Sequence, residues 1–387
     1  MKYGCKNKLK VNPLAYNLML IGESGIGKTT VIKEYCDRLA PDKYIFLECG
    51  KEDGADAIDG INYINCPEWD MDYDKNTNSV GFATFIDDVV ENRTTEWSDL
   101  KVVVVDTYDE LFAIAEPEVI RMHNRQNPDK RVDSIKAAFG GFQGGEDKTL
   151  EIVLDKLWEL KHMGICFILI GHTKTRNMTD PVTGQEYLQL TTNLPQKYFN
   201  GIKTKVHILG VASIDREIVK EKTGKKDFVT KKDIEKGVVT NQTRKITFRD
   251  DNYVIDSKSR FADIVPEIPL NADALVNAIT NAITAEMNKS NTNKSFDEIK
   301  KEQEAAEAEN LLKLAEKEKI NKENKEIEGL KSKIVEYIAE NKTNMAVVKP
   351  ILEKCNEYGY KNPMQIADLE TCLLYTSDAA DDLIGVD

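Results

Sequence analysis

No apolar run in the chain approaches the roughly 18–20 residues that a membrane-spanning helix needs, so a bilayer-crossing segment is not expected. Cysteine is sparse and unpaired in pattern. The seven cysteines stand at positions 5, 36, 49, 66, 166, 355 and 372 with no C-x-x-C among them. That spacing suggests neither a zinc site nor a redox couple, and an odd, dispersed set fits reduced thiols in a cytoplasmic protein. The first residues lack the charged, apolar and small-residue sequence of a secretory leader. Positive charge is also short. The formal net charge is −13, which excludes a uniformly basic nucleic-acid binder and leaves a local basic groove open. The expectation is a cytoplasmic chain working away from membranes.

What is present begins with residues 17–30, NLMLIGESGIGKTT. Four apolar residues run into Gly22, and Gly22, Glu23, Ser24, Gly25, Ile26, Gly27, Lys28 and Thr29 complete the pattern G-x-x-x-x-G-K-[ST]. After Thr30, Val31, Ile32, Tyr35 and Leu39 fall on one helical face. Strand, glycine loop and helix together are the context in which such a loop wraps backbone N–H groups around phosphate. In that arrangement Lys28 reaches the β- and γ-phosphates of ATP, and the Thr29 hydroxyl holds Mg²⁺. The helix N-terminus adds its partial positive charge.

With 387 residues and 41% apolar content there is material for one large domain or two ordinary ones. Residues 44–48 (YIFLE), 61–64, 101–106 (KVVVVD) and 166–170 (CFILI) read as strands. Four consecutive valines indicate burial on both faces, as in a parallel sheet. Residues 80–92, 109–123 and 147–162 read as helices between them. Strands at 206–211 and 245–248 follow, with 253–255 expected to pair with the latter across Asp250, Asp251 and Asn252. The alternation predicts a doubly wound α/β domain with a mostly parallel sheet.

Asp106 ends the valine strand, where its carboxylate would support Mg²⁺ beside the phosphate loop, so that Thr29 and Asp106 form the expected metal site. Thr107 follows it, and acidic residues return only at Asp109 and Glu110. A base to activate water is therefore sought elsewhere: Glu48, closing the second strand, is the candidate, with Glu52 close behind. His172 follows the CFILI strand and is a candidate sensor of the γ-phosphate. It leads into residues 173–196, expected to be a long loop with a turn at Asp180, Pro181, Val182, Thr183 and Gly184. The catalytic set is thus Lys28, Glu48, Asp106 and His172, and the nucleotide cradle is residues 22–30.

GESGIGKTT, VVVVDTYDEL and FILIGHTKTR, in this order, resemble the RecA-like ATPases, and within them the phage group of single-domain RecA-like proteins described as nucleotide-binding or single-strand annealing proteins. NLPQKYFNGIKTKVHIL and DSKSRF are similar to that group too. The resemblance spans roughly residues 10–270. It implies ATP hydrolysis with Mg²⁺, a RecA-like P-loop NTPase core, single-stranded DNA as partner in recombination or replication, and self-association. For a phage-encoded chain the compartment would be the bacterial host cytoplasm. An AAA-type motor or loader, and a nucleotide-gated adaptor without significant hydrolysis, remain the alternatives.

Charge is unevenly spread. Residues 41–100 carry 15 acidic and 4 basic side chains; residues 172–249 carry 16 basic and 8 acidic. The second stretch is where a DNA-contacting loop would lie, with Tyr187, Tyr198 and Phe199 as candidates to stack on bases. A solvated lysine-rich hairpin at 220–236 accounts for much of the same charge. Arg260 reads either as a finger onto a neighbouring subunit's nucleotide or as an ion-paired arginine.

The expected boundaries are 1–270 for the ATPase core, 271–295 for a helix and polar linker, 296–342 for a charged helix and 343–371 for a small helical module. In the charged helix Ile320, Ile327 and Ile334 are seven apart, yet Glu323 interrupts the seam. The helices beyond the core would recruit replication or recombination partners. Residues 372–387 can be encoded by DNA resembling a transposon end used in sequencing-library preparation, and are expected to be non-native.

Overall fold

The computed structural model describes residues 8–180, 182–226, 233–250, 254–289, 295–340, 348–349, 353 and 360. The chain divides into two compact units, Met1–Glu307 and Ala308–Asp387.

In the first unit a short 3-10 turn, Pro13–Ala15, leads into β1 (Leu18–Gly22) and α1 (Lys28–Leu39). β2 (Tyr44–Cys49), β3 (Tyr63–Cys66), α2 (Phe82–Glu91), β4 (Val102–Asp106), α3 (Tyr108–Gln126) and α4 (Gly144–His162) follow. Then come β5 (Cys166–Thr179), β6 (Glu186–Thr192), α5 (Gln196–Lys203), β7 (Ile208–Lys226), β8 (Asp233–Thr247), β9 (Lys258–Ser259), β10 (Glu267–Pro269) and α6 (Ala272–Lys289). Strand order across the sheet is β10-β8-β7-β1-β5-β4-β2-β3. β3, β2, β4, β5, β1 and β7 run parallel, and β8 and β10 add antiparallel pairs at one side.

The central strands are apolar throughout because both faces are covered. Met19, Ile21, Val103, Val105, Phe167 and Leu169 point to one layer with residues of α2, α3, α4 and α5. Leu18, Leu20, Val102, Val104, Ile168 and Ile170 point to the other, with α1 and α6. This is the doubly wound, mostly parallel α/β architecture that the sequence predicts. α6 follows the same rule as the earlier helices. Ala272, Leu275, Ala278, Ile279, Ala282 and Ile283 repeat at three- and four-residue spacing and are buried. Arg38 on α1 pairs with Asp273 on α6 at 2.6 Å.

Two expectations change. Residues 173–196 are not a long loop: β5 runs on to Thr179 and pairs antiparallel with β6, from Thr173 opposite Thr192 to Thr179 opposite Glu186. Ile255 bridges Leu190 of β6 rather than joining residues 245–248, whose partners are β7 and β10. The expected turn residues Asp251 and Asn252, and Tyr253, lie outside the described residues.

α7 (Phe296–Glu340) begins in the first unit. There Gln303 accepts from the Val11 N–H at 2.9 Å and donates to the Leu9 carbonyl at 2.8 Å. In the second unit α7 is a polar helix with Ile327 buried and Ile320 exposed. Most of the expected module at 343–371, and all of 372–387, lies outside the described residues.

Candidate nucleotide site

The site lies at the carboxyl ends of the parallel strands, where an open α/β sheet leaves its crevice. β1 delivers Gly22, and the loop turns back through Gly25 (φ 73°) and Gly27 (φ 108°), conformations that other residues adopt only with strain. Ile26 between them is buried in the layer under α1 and anchors the loop. Lys28 begins α1. Its Nζ donates to the Gly22 carbonyl at 3.1 Å and the Glu23 carbonyl at 2.9 Å, which closes the loop. Burial lowers the Lys28 pKa, against the opposing pull of Asp106, Asp109 and Glu52.

The Thr29 hydroxyl donates to Asp106 Oδ2 at 2.7 Å, joining the start of α1 to the end of β4 across the intervening β5. Burial pushes the Asp106 carboxyl up to about 6, while the Thr29 hydrogen bond and Lys28 act the other way. Glu48 sits opposite Asp106 in the β2–β4 register. Its Oε1 accepts the Ala55 N–H at 2.6 Å, and its buried Oε2 has no partner among the described residues. Burial raises the Glu48 carboxyl to about 7; Asp106 adds to the rise and the Ala55 hydrogen bond resists it. Glu52 Oε1 accepts from the Thr107 hydroxyl at 3.3 Å.

His172 stands opposite Gly22 in the β1–β5 register, beside the start of the loop. Its backbone N–H donates to Asp109 Oδ2 at 2.7 Å, and its Nδ1 lies 3.3 Å from the same oxygen. Gly171 is required here, because a Cβ at that position would lie 1.8 Å from the Tyr108 ring. The Tyr108 hydroxyl in turn bonds Thr192 at the end of β6. The first turn of α3 therefore touches both strands of the β5–β6 hairpin immediately after Asp106.

The donor set fits a magnesium nucleotide. Glycine φ values open a backbone cradle, a hydroxyl and a carboxylate meet as hard oxygen ligands, and the buried Glu48 Oε2 and Asp109 Oδ1 lack partners among the described residues. Among the described residues no group of three or more His, Cys, Asp or Glu side chains is placed to hold a metal ion on its own. A metal held by Thr29 and Asp106 would share its coordination with phosphate and water, as Mg²⁺ commonly does.

The structure brings Lys28, Thr29, Glu48, Asp106 and His172 to one end of the sheet. It separates other candidates from that end. Tyr198 and Phe199 are buried, Tyr198 stacking on Phe112 with its hydroxyl bonded to Glu116, so neither is available to stack on bases. Arg260 donates from its backbone to His207, ahead of β7, and from its side chain to Thr204. That is the amino end of the strands, away from its own chain's phosphate loop. The pairing of Asp109 with His172, and the arginines of β7 and β8 beside the loop, belong to no short motif; the arginines lie some two hundred residues from the loop in sequence.

A family model described as an AAA domain matches residues 14–263. No curated protein matches the chain. Among solved structures, a KaiC-like protein from the hyperthermophilic archaeon Pyrococcus horikoshii is similar over 66% of this chain and 84% of that one, with 14% identity and a TM-score of 0.31.

Proposed function

The chain belongs to the AAA-domain family, a P-loop ATPase fold, and from that premise we propose that it binds and hydrolyses ATP with Mg²⁺ and couples the nucleotide to single-stranded DNA, as a RecA-like ATPase of the phage type. The observation that carries the nucleotide part is the Thr29–Asp106 hydrogen bond of 2.7 Å beneath a glycine loop closed by Lys28. The backbone of residues 22–30 would cradle the phosphates, and Lys28 would neutralise the β- and γ-oxygens. Thr29 and Asp106 would hold Mg²⁺, which when bound polarises the phosphates and offsets their charge. Glu48 is the proposed base. Its elevated pKa keeps it near the balance between proton acceptor and donor at neutral pH.

The DNA reading is supported by geometry and charge. β1 lies between β5 and β7, and both neighbours run on past Gly22 as antiparallel hairpins. The basic excess lies on the β7–β8 ribbon, whose residues 208–247 hold 10 basic and 6 acidic side chains; the β5–β6 hairpin, residues 172–192, holds 2 of each, with Lys174 exposed on β5. His172 and Thr192 tie the β5–β6 hairpin to the first turn of α3. A γ-phosphate beside His172 would thereby bias that hairpin toward DNA. Self-association, and recruitment of replication or recombination proteins by the helices beyond the core, complete the proposal. The test is binding of a labelled single-stranded oligonucleotide with and without a non-hydrolysable ATP analogue, across salt concentrations. The expected result is salt-sensitive binding that tightens with the analogue. No binding in either state contradicts the DNA role and leaves the nucleotide site to be judged on ATP alone.

A further inference from the structure

β7 and β8 do more than extend the sheet. In their register Ile214 stands opposite Arg244, and Arg216 opposite Gln242. Side chains alternate along a strand, so Arg244 and Arg216 share one face of the ribbon. Asp215 and Lys245 pair at 2.9 Å on the other face. The arginine face is turned to the phosphate loop. Arg244 Nη1 donates to the Ile26 carbonyl at 3.0 Å, at the residue between the two positive-φ glycines. The same nitrogen would lie 3.8 Å from a Cβ placed on Gly27. The backbone carbonyl of Arg244 accepts from the Leu270 N–H at 3.0 Å, which fixes the strand at that point. Arg216 Nη2 lies 3.9 Å from Glu23 Oε2, the one carboxylate inside the loop.

A tether for a loop carbonyl needs one neutral donor. Here the donor is a guanidinium with five N–H groups and a permanent charge. Among the described residues no carboxylate lies in ion-pair range of Arg244, and the side chain is exposed beside the cradle. Glu23, by contrast, places a negative charge where an anion is to bind, and Arg216 stands next to it.

We propose that Arg244 is a phosphate-binding residue of this site, supplied by the same chain rather than by a neighbour, and that Arg216 offsets Glu23 so that the loop accepts a polyanion. The inference rests on the nucleotide reading above. It adds a charged ribbon to the usual loop and helix, and makes β7–β8 part of the nucleotide site.

The test is a titration of a fluorescent ATP analogue into the full chain and into R244Q, R244K, R216A and the double variant R216A/E23Q. R244K keeps a charged donor on a long side chain, whereas R244Q loses the charge and is two bonds shorter than the Nη1 that meets the Ile26 carbonyl. R244Q is expected to weaken binding about tenfold, the size of one lost charge-assisted hydrogen bond, with R244K retaining more affinity. R216A is expected to weaken binding, and E23Q in the same chain to restore most of it, a rescue that a packing role would not produce. Equal affinity of R244Q and the unsubstituted chain, or equal loss in R244Q and R244K, overturns the role of Arg244. Failure of E23Q to rescue R216A overturns the role of Arg216. Absence of binding by the unsubstituted chain instead overturns the nucleotide reading, and this inference with it.

Discussion

Glu48 shows most clearly how burial sets chemistry in this protein. A carboxyl 2% exposed, opposite a second buried carboxyl, carries a pKa raised to about 7. Between the ordinary value of 4.5 and that value the folded chain holds a proton that the unfolded chain has released. Glu48 therefore favours the folded state at the acid end of this window and loses that contribution as pH rises through 7. In the absence of nucleotide, Glu48→Gln should melt several degrees above the parent at pH 8, with the gap closing by pH 5. Thermal unfolding at the two pH values checks it; a variant less stable than its parent at pH 8 would contradict the buried, unfavourable anion. The same substitution bears on catalysis. Glu48→Gln should depress ATP turnover about a hundredfold or more if Glu48 is the base, the usual range for general base catalysis; unchanged turnover would remove Glu48 and point to Glu52, which touches Thr107.

At the scale of elements, the sheet and its helices follow from apolar spacing, and the exceptions have identifiable causes. β4 was legible because four valines leave no polar face, and α1 because Val31, Ile32 and Tyr35 share one side. The β5–β6 hairpin was not. Beyond Gly171 the residues of β5 are polar except for Met178, without the alternation that marks a half-buried strand, and their pairing is set by β6 across a turn. Tyr198 and Phe199 looked available for stacking because they sit among basic residues, yet α5 turns them into the layer shared with α3 and α4. The phosphate loop, Asp106 and His172 were readable as motifs. Arg244 and Arg216 were not, since only the long β7–β8 ribbon folds them back beside Ile26 and Glu23. α6 is part of the buried layer under the sheet, so trimming its stripe should be felt there. Leu275→Ala, at a fully buried position, should cost about 2–5 kcal/mol of stability, measured by denaturant unfolding; a cost under about 0.5 kcal/mol would mean α6 is peripheral to the core.

At the scale of the molecule, a strand bearing the phosphate loop is flanked on both sides by strands that outrun it as hairpins, with a mostly acidic stretch at 41–100 on the far side of β4. On the proposed reading the nucleotide would lie between the β5–β6 hairpin and the β7–β8 ribbon, where one ligand would reach both through Asp109, Tyr108 and Arg244. Everything in this account depends on the site between them accepting a magnesium nucleotide. Calorimetric titration of ATP into the full chain, with and without Mg²⁺, and into Lys28→Ala and Thr29→Ala, measures that directly. The account predicts saturable binding tightened by Mg²⁺, at least about tenfold weaker in Lys28→Ala, as expected for a lost charge-assisted phosphate contact, and no longer sensitive to Mg²⁺ in Thr29→Ala. No heat of binding in the unsubstituted chain, or affinity untouched by Lys28→Ala, would contradict it.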